Sequence, residues 1–139
     1  MSLIGSKVVV VGAGTGIGPL AGFVRHNTGR RPAHLYWGGR NPASDFLYER
    51  ELAKYLADQR LTRLKTVFSR VPGGGYVQDR IAWDAIELRG LIQRGAQVLV
   101  CGGRDMAAGV ACALESITGP MGLDLQTLKS AGRYIQDVY

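Results

Sequence analysis

The sequence predicts an α/β domain built on a doubly wound parallel sheet of about five strands. Three observations carry that expectation. Short apolar runs alternate with segments of helical spacing along the chain, and several runs end in glycine, where the backbone of a parallel sheet meets its ligands. The 139 residues suffice for one core without disulfide or metal support, and no internal repeat or linker divides them.

Lys7 to Val11 is a continuous β-branched run, the pattern of a strand buried on both faces. It breaks into Gly12-Ala13-Gly14-Thr15-Gly16-Ile17-Gly18-Pro19, after which Pro19 to His26 reads as a helix. Ala33 to Trp37 is a second strand, ending in Gly38-Gly39-Arg40. Asp45 begins a second helix, with Leu47, Tyr48, Leu52, Tyr55 and Leu56 at helical spacing. Leu64 to Ser69 is a third strand, and Pro72-Gly73-Gly74-Gly75 a flexible loop. Val77 to Gln93 is helical, in one piece or two.

Gln97 to Cys101 is a fourth strand that runs into Gly102-Gly103. Asp105 is placed to cap the next helix, which continues through Met106, Val110 and Leu114 to Ile117 until Gly119-Pro120 stops it. Leu123 to Ser130 is a last short helix, and Tyr134 to Tyr139 a closing strand. Most chain ends fray, whereas this one stays aromatic and strand-like, so something is expected to hold Tyr139.

The net charge of +6 admits nucleic acid, an acidic partner or a polyanionic small ligand. The distribution argues against nucleic acid: Arg30-Arg31 and the group Arg60, Arg63 and Lys65 are separate, and no arginine tract interleaves with aromatics. A phosphorylated cofactor needs only a few of these charges, and the rest read as solvated surface. Cys101 and Cys112 lie too far apart for a redox or zinc pair, and His26 and His34 lack metal-binding companions. A reduced, cytoplasmic setting is expected. Val8 to Val24 is uncharged, but it is shorter than the ~20 residues of a membrane-spanning helix and rich in glycine, so it is no membrane segment.

The glycine loop is the strongest functional signal. Glycines allow close approach of the backbone, and the first amides of the following helix lack acceptors, so a phosphate is the natural occupant. The common dinucleotide fingerprint is absent, because the third position after Gly14 is Ile17 and the second strand ends in Arg40 rather than an acid. No lysine follows to make a nucleoside-triphosphate loop. What stands here is Gly-x-Gly-Thr-Gly-Ile-x-Pro.

Further motifs follow in order: Tyr-x-Gly-x-Arg-Asn at Tyr36 to Asn41 with Asp45 to Tyr48, Phe-Ser-Arg at Phe68 to Arg70, Tyr-Val-Gln-Asp at Tyr76 to Asp79, Val-Cys-Gly with Met106, and Arg133-Tyr134 with Asp137-Val138-Tyr139. Together they resemble the pyridine-nucleotide domain of the ferredoxin-NADP reductase superfamily, most closely its diflavin branch, from Val8 to Tyr139. The resemblance implies that Gly14, Thr15 and Gly16 hold the pyrophosphate and that Arg40 reaches it or the nicotinamide ribose. It implies that Ser69 and Arg70 bind the 2′-phosphate of NADPH, with Tyr76 stacking and Gln78 hydrogen-bonding at the adenosine. Gly102 and Met106 would border the nicotinamide, Cys101 would stand beside its reacting carbon with Asp137 bonding around it, and Tyr139 would cover the flavin ring. Taken without the resemblance, the glycines fit a tight turn, Arg40 fits the surface, Tyr76 fits a half-buried helix start and Cys101 fits a small core residue. Cys112 is expected in the core.

One departure bears on specificity. The family carries a lysine before the tyrosine of Tyr-Val-Gln, and here Gly73-Gly74-Gly75 stands in a loop one residue shorter, which narrows the preference for NADPH over NADH. The chain also lacks the family's FAD-binding signatures and an FMN loop. It is therefore expected to be a 1–139 NAD(P)H-binding domain cut from the C-terminal part of a larger flavoprotein reductase, positioning nicotinamide for hydride transfer to FAD on an upstream domain. The downstream electron acceptor is not written in it, and a parent tethered to a membrane and facing the cytoplasm is compatible with it. The alternative is a stand-alone nucleotide-binding or sensing module, which has no use for Cys101, Asp137 and Tyr139 together.

Overall fold

The computed structural model describes residues 7–13, 17–27, 32–39 and 49–138. Five strands, β1 (Val8–Ala13), β2 (Ala33–Gly39), β3 (Arg63–Phe68), β4 (Gln97–Gly102) and β5 (Tyr134–Val138), form one parallel sheet in the order β3-β2-β1-β4-β5. The helices described are α1 (Ile17–Arg25), α2 (Glu49–Ala57), α3 (Val77–Trp83), α4 (Ala85–Gln93), α5 (Arg104–Thr118) and α6 (Leu125–Ser130). This is the doubly wound parallel sheet the sequence predicts.

The valine run explains the layering. Side chains alternate across a strand, so Val8 and Val10 pack with Leu20, Val24, Leu35, Trp37 and Leu52, on the side of α1 and α2. Val9 and Val11 pack with Tyr36, Ile81, Leu88, Val110 and Leu114, on the side of α3 to α6. All four valines are wholly buried, and each contributes roughly 1.5–3 kcal/mol by leaving water. A sheet covered on both faces has no use for alternating polar residues, hence the unbroken run.

Several boundaries differ from expectation for physical reasons. β1, β2 and β4 extend through Gly12, Gly38-Gly39 and Gly102, because ladder hydrogen bonds to neighbours continue where side-chain preference has stopped. Gly103, not Asp105, is the N-cap of α5; Asp105 lies inside the first turn, where its charge still suits the helix's positive end. A 3₁₀ turn at Gly119–Met121 follows α5, as Gly119-Pro120 predicts. The final helix begins at Leu125, with Asp124 Oδ1 accepting the Thr127 N–H at 2.7 Å as cap. Cys112 is exposed on α5 rather than in the core. The start of the second helix at Asp45 to Tyr48 lies outside the described residues. Among the described residues no helix is long and apolar enough to cross a membrane.

Candidate functional site

In a parallel sheet every strand delivers its carboxyl end to the same edge, here Ala13, Gly39, Phe68, Gly102 and Val138. β1 connects to β2 on one side while β4 lies on its other side, so the winding reverses between β1 and β4, the switch point whose crevice takes the ligand in sheets of this kind. Register places Gly12 beside Cys101 and Cys101 beside Asp137, a row across three strands at that crevice. Gly12 lets α1 pack close there: a Cβ would stand 2.2 Å from Leu20 Cδ1 on α1 and 3.2 Å from the Cys101 carbonyl oxygen, so Leu20 would have to move aside. Gly102 is favoured by its φ of +155°, and the position a Cβ would take lies 2.3 Å from Met106 Cε, the movable end of that side chain. Met106 therefore lies directly over the end of β4.

Cys101 is buried on the side of α1, in the cluster that contains Leu20. Burial pushes its thiol pKa up, and the charge of Asp137 pushes it the same way. The group is a neutral thiol at neutral pH, with little thiolate to act as a nucleophile. Asp137 and Ile135 on β5 are exposed on the same side of the sheet, next to half-buried Leu99 of β4.

At the other end of the edge, the Ser69 N–H donates to the Gly39 carbonyl at 2.9 Å, which sets Ser69 and Arg70 beside the end of β2. Arg70 is exposed. The stretch expected as a flexible loop is a closed turn: Gly74 N–H donates to Val71 O at 2.9 Å and Gly75 N–H to Phe68 O at 3.2 Å. A Cβ on Gly74 would stand 2.0 Å from the Phe68 carbonyl oxygen, so only glycine permits this closure. Tyr76 follows as the N-cap of α3, its N–H held by Asp79 Oδ2 at 2.8 Å and its ring mostly exposed rather than half-buried. The Gln78 amide lies against Gly109 of α5, where a Cβ would stand 3.0 Å from Nε2.

The structure thus gathers Cys101, Gly102, Met106 and Asp137 at one end of the edge and Ser69, Arg70 and Tyr76 at the other, with Gln78 turned against α5. Gly14, Thr15, Gly16, Arg40 and Tyr139 lie outside the described residues. Among the described residues no group of three His, Cys, Asp or Glu side chains could hold a metal ion.

The family model described as the oxidoreductase NAD-binding domain matches residues 10–111. The chain belongs to this family. Relatives of this NAD-binding domain include the sulfite reductase [NADPH] flavoprotein alpha-component of Vibrio vulnificus, 39% identical over 95% of the chain and 24% of the relative. The NADPH–cytochrome P450 reductase of Homo sapiens is 35% identical, covering 96% of the chain and 22% of its own length. The methionine synthase reductase of Rattus norvegicus is 32% identical over 98% and 23%. The chain spans about a quarter of the length of these relatives.

The NAD-binding domain also holds a charged cluster that the sequence did not signal. Lys65 reads from the sequence as one of the solvated charges, yet its side chain is largely buried and Nζ donates to Asp84 Oδ2 at 2.6 Å and Glu87 Oε2 at 3.1 Å. Tyr36 OH, in the wholly buried Tyr36, donates to Asp84 Oδ2 at 2.7 Å, and Arg80 Nε to the same oxygen at 3.3 Å. Burial pushes the Asp84 carboxyl up, but hydrogen bonds from Lys65 and Tyr36 prevail and hold it below its ordinary range. His34 is buried beside Glu87, Nδ1 to Oε1 3.5 Å, and burial lowers its pKa. The available signal was strand alternation: Lys65 stands opposite Tyr36 in register, on a covered face.

Proposed function

We propose that this domain is the NADPH-binding module of a flavoprotein oxidoreductase, placing nicotinamide for hydride transfer to FAD carried elsewhere in a longer parent chain. The observation that carries the reading is the row Gly12, Cys101 and Asp137 in register at the crevice between β1 and β4. Glycine at Gly12 and Gly102 lets Leu20 of α1 and Met106 of α5 pack directly onto the strand ends, and Met106 closes one side. Cys101 offers a neutral, polarisable contact, and Asp137 an exposed carboxylate that can accept a hydrogen bond from an amide.

The residues fit a flavin on the same side: Asp137, Ile135 and Leu99 leave a partly apolar surface beside Cys101. When bound, the flavin supplies the hydride acceptor, and the chain's contribution is orientation. Tyr139 is assigned to cover the flavin ring, and Gly14, Thr15, Gly16 and Arg40 to the pyrophosphate. Ser69 and Arg70 are assigned to the 2′-phosphate, for which a guanidinium offers paired charged donors. Tyr76 and Gln78 are assigned to the adenosine. NADH is the weaker ligand of the two, by a narrowed margin, because the glycine turn supplies no cation of its own. The relatives' printed names, an NADPH-specified flavoprotein and an NADPH-dependent reductase among them, support the same choice.

The test is calorimetric titration of the chain with NADPH and NADH. Arg70→Ala is expected to weaken NADPH by about 10-fold or more while leaving NADH nearly unchanged, since a hydrogen bond to a charged group is worth ~1.5–3 kcal/mol. Equal affinity of the variant and parent for NADPH overturns the assignment.

A further inference from the structure

We infer that Asp84 is a positioning residue for the nucleotide site, pinning the far end of α3 so that Tyr76 and Gln78 stand at a fixed height above the strand ends. The inference rests on the reading of Tyr76 and Gln78 as the adenosine wall, and it concerns a residue a full helix away from that wall.

α3 is a single short rod of seven residues with the wall residues at its start and Asp84 at its end. Beyond the Gly75 N–H bond to Phe68 O that closes the preceding turn, the helix start rests on packing: Val77 sits over Gly38, where a Cβ would stand 3.1 Å from Val77 Cβ, and Gln78 lies on Gly109. Apolar contacts of this kind are non-directional and let a helix slide or rock. The end is held differently. One oxygen, Asp84 Oδ2, accepts from Tyr36 OH on β2, Lys65 Nζ on β3 and Arg80 Nε on α3 itself. Two donors from neighbouring strands, joined by Arg80 of the helix itself, converge on one atom and fix position in a way a methyl group cannot.

Lys65 also reaches Glu87 in the first turn of α4, so the same cation sets the joint between α3 and α4. The joint forms because Asp84 leaves helical geometry, with its own N–H still bonded to the Arg80 carbonyl at 3.0 Å. Well-packed apolar residues usually stabilise a site like this as well as a largely buried ion pair does. What the ion pair adds is a unique geometry. The strand that donates through Tyr36 ends at Gly38 and Gly39, so β2 and α3 are tied together both at the ligand edge and one helix length below it.

The test uses the 139-residue chain with 2′,5′-ADP as probe, read by titration calorimetry and by hydrogen exchange of the α3 amides. Tyr36→Phe removes one donor and keeps the ring. The pair Lys65→Met with Asp84→Leu removes the pin while leaving no buried charge alone. Tyr36→Phe is expected to weaken 2′,5′-ADP by about 2- to 4-fold and the pair by about 5- to 20-fold, with faster exchange across residues 79–84 and little change in thermal midpoint for Tyr36→Phe. Parent-like affinity and parent-like exchange in both variants overturn the inference, even where Arg70→Ala weakens the same probe. Failure of the parent chain to bind 2′,5′-ADP at all overturns the nucleotide reading, and the inference with it. Unfolding of the paired variant leaves Tyr36→Phe to decide.

Discussion

Replacing Gly74 with alanine tests whether the closed turn after β3 is what presents Ser69 and Arg70. The added Cβ would stand 2.0 Å from the Phe68 carbonyl oxygen and 2.8 Å from that of Val71, both main-chain atoms. Ordinary carbon–oxygen contacts are about 3.3 Å or longer, so the turn must open by about an ångström. Opening breaks the bonds from Gly74 to Val71 and from Gly75 to Phe68, at roughly 0.5–1.5 kcal/mol each. If that cost fell on the whole fold, the midpoint would drop by roughly 3–10 °C, taking about 3.4 °C per kcal/mol for this chain length. The turn is at the surface and can open locally, so a fall of only a few degrees is expected. The effect on ligand is larger. Displacing Arg70 forfeits a charged hydrogen bond worth about 1.5–3 kcal/mol, or roughly 10- to 150-fold in NADPH affinity, while NADH should change by less than about threefold. Gly75→Ala is the control, since its Cβ meets only the movable Asp79 carboxylate at 3.3 Å. Calorimetric titration reads all three proteins. NADPH affinity of Gly74→Ala within about twofold of the parent refutes the reasoning.

Two further outcomes are expected. Asp137→Asn removes a charge that raises the Cys101 pKa, so Cys101 should alkylate faster at pH 8 than in the parent, as followed by peptide mass spectrometry; an unchanged or slower rate contradicts the electrostatic coupling. His34 stays neutral in the fold because burial lowers its pKa, with Lys65, Lys7 and Arg63 acting in the same direction against Glu87. The unfolded chain takes up a proton near pH 6.5 and the native chain only at lower pH, so stability present above about pH 6.5 is lost as the pH falls toward the native value. Urea melts between pH 7.5 and 5 should show this slope in the parent and a flatter one in His34→Gln.

The strands were legible because their residues obey local rules: a valine run between two layers, and Gln97 to Cys101 ending in glycine. The break at Asp84 was half legible. Periodicity admits two pieces between Val77 and Gln93, but the reason lies in Tyr36 and Lys65, which are distant in sequence and adjacent only through register. The same distance hid the burial of Lys65, since a charge in a sequence reads as surface until its carboxylates are found. The turn at Gly74 was illegible for another reason: its bonds run between main-chain atoms, and three successive glycines do not distinguish a loose loop from a tight one. Of the candidate site, the residues at strand ends, Cys101 and Asp137 together among them, could be named from motifs, whereas the register that sets those two side by side follows only from β4 and β5 being adjacent.

The place of β1 in the sheet has a consequence for how the chain reaches its folded state. Val8 to Val11 can pair with β2 as soon as residues 33–39 are made, but its other edge waits for Gln97 to Val100, about 90 residues further along the chain. Until then four consecutive valines present an open ladder, the kind of edge that recruits strands from other chains. Folding of this domain should therefore be slow compared with a helical protein of its size, and most vulnerable to aggregation before the fourth strand leaves the ribosome.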